Sequence, residues 1–242
     1  MNAENDKVCY NCQHCIRERD DETLYTRCYC VVDNHYLSYT DVMSWWCRHW
    51  SKEKGGKDMI DKFIHTDNWQ EVKDATMTTV GKSTGKYPTS EWKKKLILAE
   101  HSPIRKLSFT WRWKDLPYWV SVHFVRHKIG IEFWQSTQRT DRTGTDRNSM
   151  RQDAPVNLEC TADAQALINI SRKRLCNCAA AETRKAWQEV KDKVAEVEPE
   201  LASCMVRECV YRGFCPEMFP CGYSYTAAYY GEYLAYISTV TD

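Results

Sequence analysis

The cysteines of this chain fall into two blocks, and they constrain its folding more than any other feature. Six of the thirteen precede residue 48, none lies between residues 48 and 159, and seven follow. Cys9, Cys12 and Cys15 repeat at three-residue spacing, and Cys28, Cys30 and Cys47 come after them. Two thiolates two residues apart can grip one metal ion, and a later pair can complete a tetrahedron. The preferred tetrad is Cys9, Cys12, Cys28 and Cys47, with Cys15, Cys30, His14, His35 and His49 as substitutes. Zinc is expected ahead of an iron–sulfur cluster or of unligated thiols. A module of about fifty residues needs such a staple, because its own core is marginal. The polar stretch after Trp50 carries Gly55 and Gly56. It divides a cysteine-rich, zinc-binding module over residues 1–52 from a larger domain over residues 57–242. Arg17, Arg19, Lys52, Lys54 and Lys57 are interrupted by Glu18, Asp20, Asp21 and Glu22, so nucleic acid is not the expected partner.

The formal net charge of +1 gives no global attraction to polyanions, so any anion site must arise from local placement of Arg and Lys. Apolar runs such as residues 96–99 and 119–122 are far too short to cross a bilayer. The first seven residues lack the apolar core of a signal peptide. A cytoplasmic, non-membrane protein is expected, and in that compartment metal ligation or free thiols outrank disulfides.

Thr89 or Ser90 can cap a helix holding Trp92, Leu96 and Ile97. Leu107, Phe109, Trp111 and Trp113 alternate with Ser108, Thr110 and Arg112, the period of a half-buried strand. Pro117 precedes a helix over residues 118–127 that carries His123 and His127 one turn apart. Residues 139–153 read as a polar loop. Residues 162–197 lack Gly and Pro and fit two helices, and an irregular tail leads to a last helix rich in Tyr and Ala.

The chemistry concentrates in residues 124–139, FVRHKIGIEFWQSTQR. Arg126, His127 and Lys128 close an otherwise apolar helix. Gln135, Thr137 and Arg139 alternate, so a strand would point all three to one face. Such a cluster suits a phosphate, or it is a solvated basic patch at a helix end.

This segment resembles the signature of the flavin-dependent thymidylate synthases: Arg-His-Arg, two residues, Ser, one residue, Asn-Glu, one residue, Ser, one residue, Arg. Arg126, His127 and Lys128 match its opening, with Lys for the last Arg, and Gln135, Thr137 and Arg139 match its close. One extra residue separates the halves, and Ile131, Glu132 and Phe133 occupy the stretch where the inner Ser and Asn are missing. His101, Ser102, Pro103 and Ile104 precede Phe109, Thr110 and Trp111, as a similar family segment precedes its Phe-Thr-Phe strand, although Lys106 replaces a second His. His123 stands for a family Gln. Asn169, Arg174, Ala179, Glu182 and Arg184 reproduce the spacing of the family's long helix. The resemblance covers roughly residues 65–200. The interval between signature and long helix is shorter and more polar here than in the family.

The resemblance implies an α+β fold, an antiparallel sheet flanked by long helices, and a homotetramer. It implies FAD held by Arg126, His127, Lys128, Asn169 and His101. The nucleotide would lie against His123, Gln135, Thr137, Arg139, Arg151 and Arg174, with Arg174, His123 and Thr137 closest to catalysis. Arg174 could instead be a surface cation in the run Arg172, Lys173, Arg174, and Arg172 is expected to point elsewhere on the helix. Methylenetetrahydrofolate would donate the carbon and NADPH the electrons. The default reaction is deoxyuridylate to thymidylate. Replacement of Gln by His123, with Glu132 nearby, could instead suit deoxycytidylate and a hydroxymethyl product. A non-catalytic nucleotide- or flavin-binding protein is the remaining alternative.

Overall fold

The computed structural model describes residues 15–19, 26–30, 35–37, 58–82 and 85–241. Contacts divide the chain into two units, Met1–Lys57 with Tyr225–Gly231 and Asp58–Ser224 with Glu232–Asp242. In the first unit, β1 (Cys15–Arg19), β2 (Thr26–Cys30) and β3 (His35–Leu37) form an antiparallel sheet in that order. Cys9, Cys12 and Cys47 of the expected tetrad lie outside the described residues, and Cys28 belongs to β2. Cys30 is in register with Cys15 on one side and with His35 on the other.

The second unit is α+β. Its sheet has the order β4-β5-β7-β6, all antiparallel, from β4 (Ile60–His65), β5 (Ser108–Pro117), β6 (Ile131–Gln135) and β7 (Pro155–Asp163). The alternation read over residues 107–113 becomes the central strand. Phe109, Trp111 and Trp113 are fully buried on one face. The opposite face is polar: Arg112 pairs with Asp61 (2.8 Å), Lys62 with Glu159 (2.8 Å), and the Thr110 and Thr161 hydroxyls bond at 2.8 Å. A sheet with one apolar face needs helices on that face alone.

The helices of this unit are α1 (Trp69–Thr79), α2 (Ser90–Leu98), α3 (Tyr118–Phe124), the short α4 (Thr140–Thr143), which buries no residue, α5 (Ala164–Arg174), α6 (Ala181–Val197), α7 (Pro199–Cys204) and α8 (Glu208–Arg212). A last helix, α9, spans Ala227–Thr241. Thr89 caps α2 as expected, accepting from Trp92 N. Asp163 caps α5, accepting from Ala166 N at 2.7 Å. Beside that cap runs Gly130 at φ 71°, where an added Cβ would lie 2.6 Å from Asp163 Oδ2. Only glycine lets the chain leave α3, pass the cap and enter β6.

Trp187 on α6 lies at the centre of the core. Its ring meets Trp111 at 5.8 Å, Trp113 at 6.4 Å and Phe124 at 5.8 Å, and its Nε1 donates to Ser171 Oγ on α5 (2.9 Å). Trp113 Nε1 donates to Ala186 O, fastening α6 to the sheet a second time. At the other end of α6, the buried Glu198 carboxylate accepts from Trp69 Nε1 (2.9 Å) and bonds His65 Nε2 (2.9 Å). Burial is the largest single influence and disfavours protonated His65, but the hydrogen bonds to Glu198 and Ser108 and the charges of Glu198 and Asp67 together outweigh it and raise the imidazole above its ordinary value.

Several expectations need correction. β4, α1 and β7 were not read from the sequence. The helix over residues 118–127 stops at Phe124, so His127 lies just beyond it. The strand expected to carry Gln135, Thr137 and Arg139 ends at Gln135. Its partner β7 begins at Pro155, and only Ser136 N–H to Asn157 O (2.9 Å) extends the pairing. Among the described residues no helix is long and apolar enough to cross a membrane.

Truncating Trp187 to Ala removes the ring shared by sheet, α3 and α5. Chemical denaturation of that variant should show a loss of about 3–5 kcal/mol. A loss below about 1 kcal/mol would show that the core repacks without it.

Candidate functional site

Helix α3 forms because Pro117 pre-sets its first turn and Val120 and Phe124 bury one stripe against the sheet. That burial turns His123 towards α6, where its Nδ1 and Thr183 Oγ1 bond at 2.9 Å, and sets Trp119 edge-on to its ring. His127 follows α3, and Arg174 reaches it from the last turn of α5. Arg174 Nε donates to His127 Nε2 (2.8 Å) and Nη2 donates to His123 O (2.5 Å). The signature's opening and the long-helix arginine, 47 residues apart in sequence, therefore meet. The guanidinium keeps the rest of its five N–H donors for a ligand.

The electrostatics of this cluster are one-sided. Arg174 is held below its ordinary value by burial and then by Arg126. His123 is lowered by burial, Arg174 and Arg126, and His127 is pushed down to about 4 by burial and Arg174. Every charge acting on these three groups is a cation. Among the described residues Arg126, Lys128 and Arg174 form no ion pair. A half-buried guanidinium without a carboxylate is stabilised by an incoming anion. Because Arg174 can only donate, His127 Nε2 accepts, and its remaining proton sits on Nδ1.

A cleft of about 430 Å³ opens alongside, lined by Tyr118, Gln135, Gln138, Arg139, Arg147 and Arg151 among others. The hydroxyl of Ser121, on α3, donates to Gln135 Oε1 (3.0 Å), so cleft and cluster share one helix. Arg139 is paired with Asp141 (2.7 Å) and Arg151 with Asp153 (2.9 Å), both exposed contacts between residues two apart. Pairs of that kind are weak and readily exchanged for a ligand oxyanion. The Arg147 guanidinium has no ion-pair partner among the described residues. Gln138 has its amide nitrogen buried without an acceptor. Three guanidiniums and an orphaned amide fit a phosphate.

The other expected site residues are placed differently. Thr137 is exposed and accepts from Arg139 N (3.1 Å). Asn169 accepts from Gln165 and Arg172, in a cluster completed by Glu100, and makes no contact with Arg174. His101 is exposed at the start of a short 3-10 turn, next to Glu100. The Arg172 side chain is 13% exposed, ion-pairs with Glu100 and stacks over Tyr211 at 3.6 Å. The lining residues that the sequence does not single out include Tyr118, Gln138 and Arg147. Arg147 lies in a polar loop among other arginines, with no periodicity to single it out.

No family model and no curated protein matches the chain. Its fold is similar to a crystal structure of thymidylate synthase X from Helicobacter pylori with FAD and dUMP, at TM-score 0.47 and 14% identity, over 61% of this chain and 97% of that one. A second structure of the flavin-dependent enzyme from Helicobacter pylori, also complexed with FAD and dUMP, gives TM-score 0.49 and 13% identity, over 62% and 99%.

The His127 arrangement can be checked by nitrogen–proton correlation NMR. The ring should be neutral with its proton on Nδ1 and should not titrate between pH 8 and pH 5. Arg174→Gln should raise its pKa towards 6.5. Since the folded value lies below the unfolded one, its contribution to stability is intact above about pH 6.5 and is lost as pH falls through about 4. An imidazole titrating near 6.5 in the wild type would refute the contact.

Proposed function

We propose that the protein transfers a one-carbon unit from methylenetetrahydrofolate to carbon 5 of a pyrimidine deoxynucleotide, using FAD, with deoxyuridylate to thymidylate as the default reaction. The reading is carried by one observation. Residues that the family resemblance assigns to FAD (His127) and to the nucleotide (His123 and Arg174) meet around a cationic centre with no carboxylate, beside an arginine-lined cleft.

Arg126 and Lys128, exposed and unopposed by acids, suit the diphosphate of FAD. FAD, when bound, supplies the redox chemistry, with NADPH as electron source. Arg139, Arg147 and Arg151 suit the nucleotide phosphate, and Gln138 offers it a further N–H. Asn169 and His101 enter the flavin site less directly, since Asn169 Oδ1 is already engaged. Arg174 would hold positive charge against the bound nucleotide and help polarise the pyrimidine for attack through its carbon 5.

His123 bears on the choice of base. The Thr183 hydroxyl can donate to His123 Nδ1 or accept from it. The outer ring nitrogen therefore presents either a donor or an acceptor. Uracil offers N–H at position 3 and cytosine a lone pair, so this side chain can meet either base.

The deciding experiment incubates the protein with FAD, NADPH, methylenetetrahydrofolate and either deoxyuridylate or deoxycytidylate, and weighs the products. Thymidylate is expected; hydroxymethyldeoxycytidylate would assign the second reaction. No product from either, with no FAD bound in calorimetry, would leave a non-catalytic binding protein. Arg174→Ala and Arg147→Ala should each weaken nucleotide binding about ten-fold to a hundred-fold while FAD binding persists. Unchanged nucleotide affinity in both would remove the cleft from the reaction.

A further inference from the structure

Five of the seven cysteines in the second half of the chain gather where α5 ends, away from the arginine cleft. Cys176, Cys209, Cys215 and Cys221 line a void of about 10 Å³, together with Arg207, Glu208 and Glu217. That is room for one water-sized particle. Cys178 lies at the edge of the group: its N–H donates to Cys176 Sγ (3.5 Å) and its thiol to Phe219 O (3.7 Å). We propose that Cys176, Cys209, Cys215 and Cys221 bind a single soft divalent cation of the zinc class, which pins residues 213–222 to the end of α5.

Four observations support the assignment. The void is lined by four cysteines, the residue set of a closed structural site. The carboxylates beside it are already engaged, Glu208 with Arg212 (2.5 Å) and Glu217 with Lys173 (3.6 Å). The sulfur donors of the four cysteines select zinc over calcium or magnesium. Two guanidiniums flank the sulfurs. Arg207 lines the void, and Arg184, held by Asn177 O and Ala179 O, lies within electrostatic reach of Cys176 and Cys221. Four thiolates around a divalent ion leave two negative charges; Arg184 would offset one of them, since Arg207 already pairs with Glu232. Finally, the Cys178 N–H to Cys176 Sγ bond is the kind of outer-shell contact that orients a ligating thiolate.

Residues 213–222 contain no helix or strand and carry Pro216, Pro220 and Gly222, so little besides such a site would order them. Among the described residues no three ligands already stand close enough to grip an ion. Binding therefore requires rotation of the thiols into the void, with release of their protons as the metal replaces them.

The test uses the full chain purified under reducing conditions. Each cysteine is footprinted by iodoacetamide and peptide mass spectrometry, with and without a zinc chelator. Cys176, Cys209, Cys215 and Cys221 should be protected until the chelator is added, while buried Cys160 and Cys204 should not respond to it. Elemental analysis should show that Cys215→Ser with Cys221→Ser loses about one ion per chain. N-terminal cysteines report on separate peptides, so metal in that module is not confused with this site. Equal labelling of the four with and without chelator would overturn the proposal. Labelling that appears only after reductant would also overturn it, by showing disulfides.

Discussion

Everything the second unit presents to a ligand is referred to one indole. Trp187 packs against the two tryptophans of β5 and Phe124 of α3, and its N–H holds Ser171 of α5. Two elements that carry site residues, α3 and α5, are thus packed together with the central strand on a single rigid side chain. Thr183, one turn earlier on the same helix, bonds His123. The imidazole is held by the same helix that builds the core, so its position has the stiffness of the core rather than of a loop.

From that frame Arg174 acquires its character. Its helix is fixed by Trp187 and by the Asp163 cap, and its guanidinium ties the end of α3 to the turn after it. An arginine bonded to a carboxylate would be electrically satisfied. Bonded to a neutral imidazole and a carbonyl, it keeps its charge for something else. The core therefore stabilises an arrangement that is electrostatically incomplete, which is common in binding sites.

The sequence made some of this legible. The alternation of Phe109, Trp111 and Trp113 was strong because both neighbouring strands and α6 bury that face. Thr89 announced α2 through its side-chain chemistry. β7 was overlooked because Cys160 and Ala162 are weak apolar markers and Pro155 stands at its start, although Val156, Leu158, Cys160 and Ala162 alternate in burial. The strand through Arg139 was over-extended, since alternation says nothing about where a partner strand begins. Arg172 looked dispensable because a run of three basic residues carries no information about which one meets a carboxylate from 72 residues away. The cationic centre was legible only through the resemblance; spacing alone did not bring residue 127 to residue 174.

The sheet order has a consequence for biosynthesis. Strand β5 lies between β4 and β7, so it waits for residue 163 before it is paired on both edges, and for residue 187 before its tryptophans are covered. On the ribosome the chain therefore exposes an apolar, half-paired ribbon while the next seventy or so residues are made, about 4–14 s at ordinary elongation rates. Nascent chains of this protein are natural clients for a holdase during that window, and a stall between β5 and α6 would be the costliest place for translation to pause.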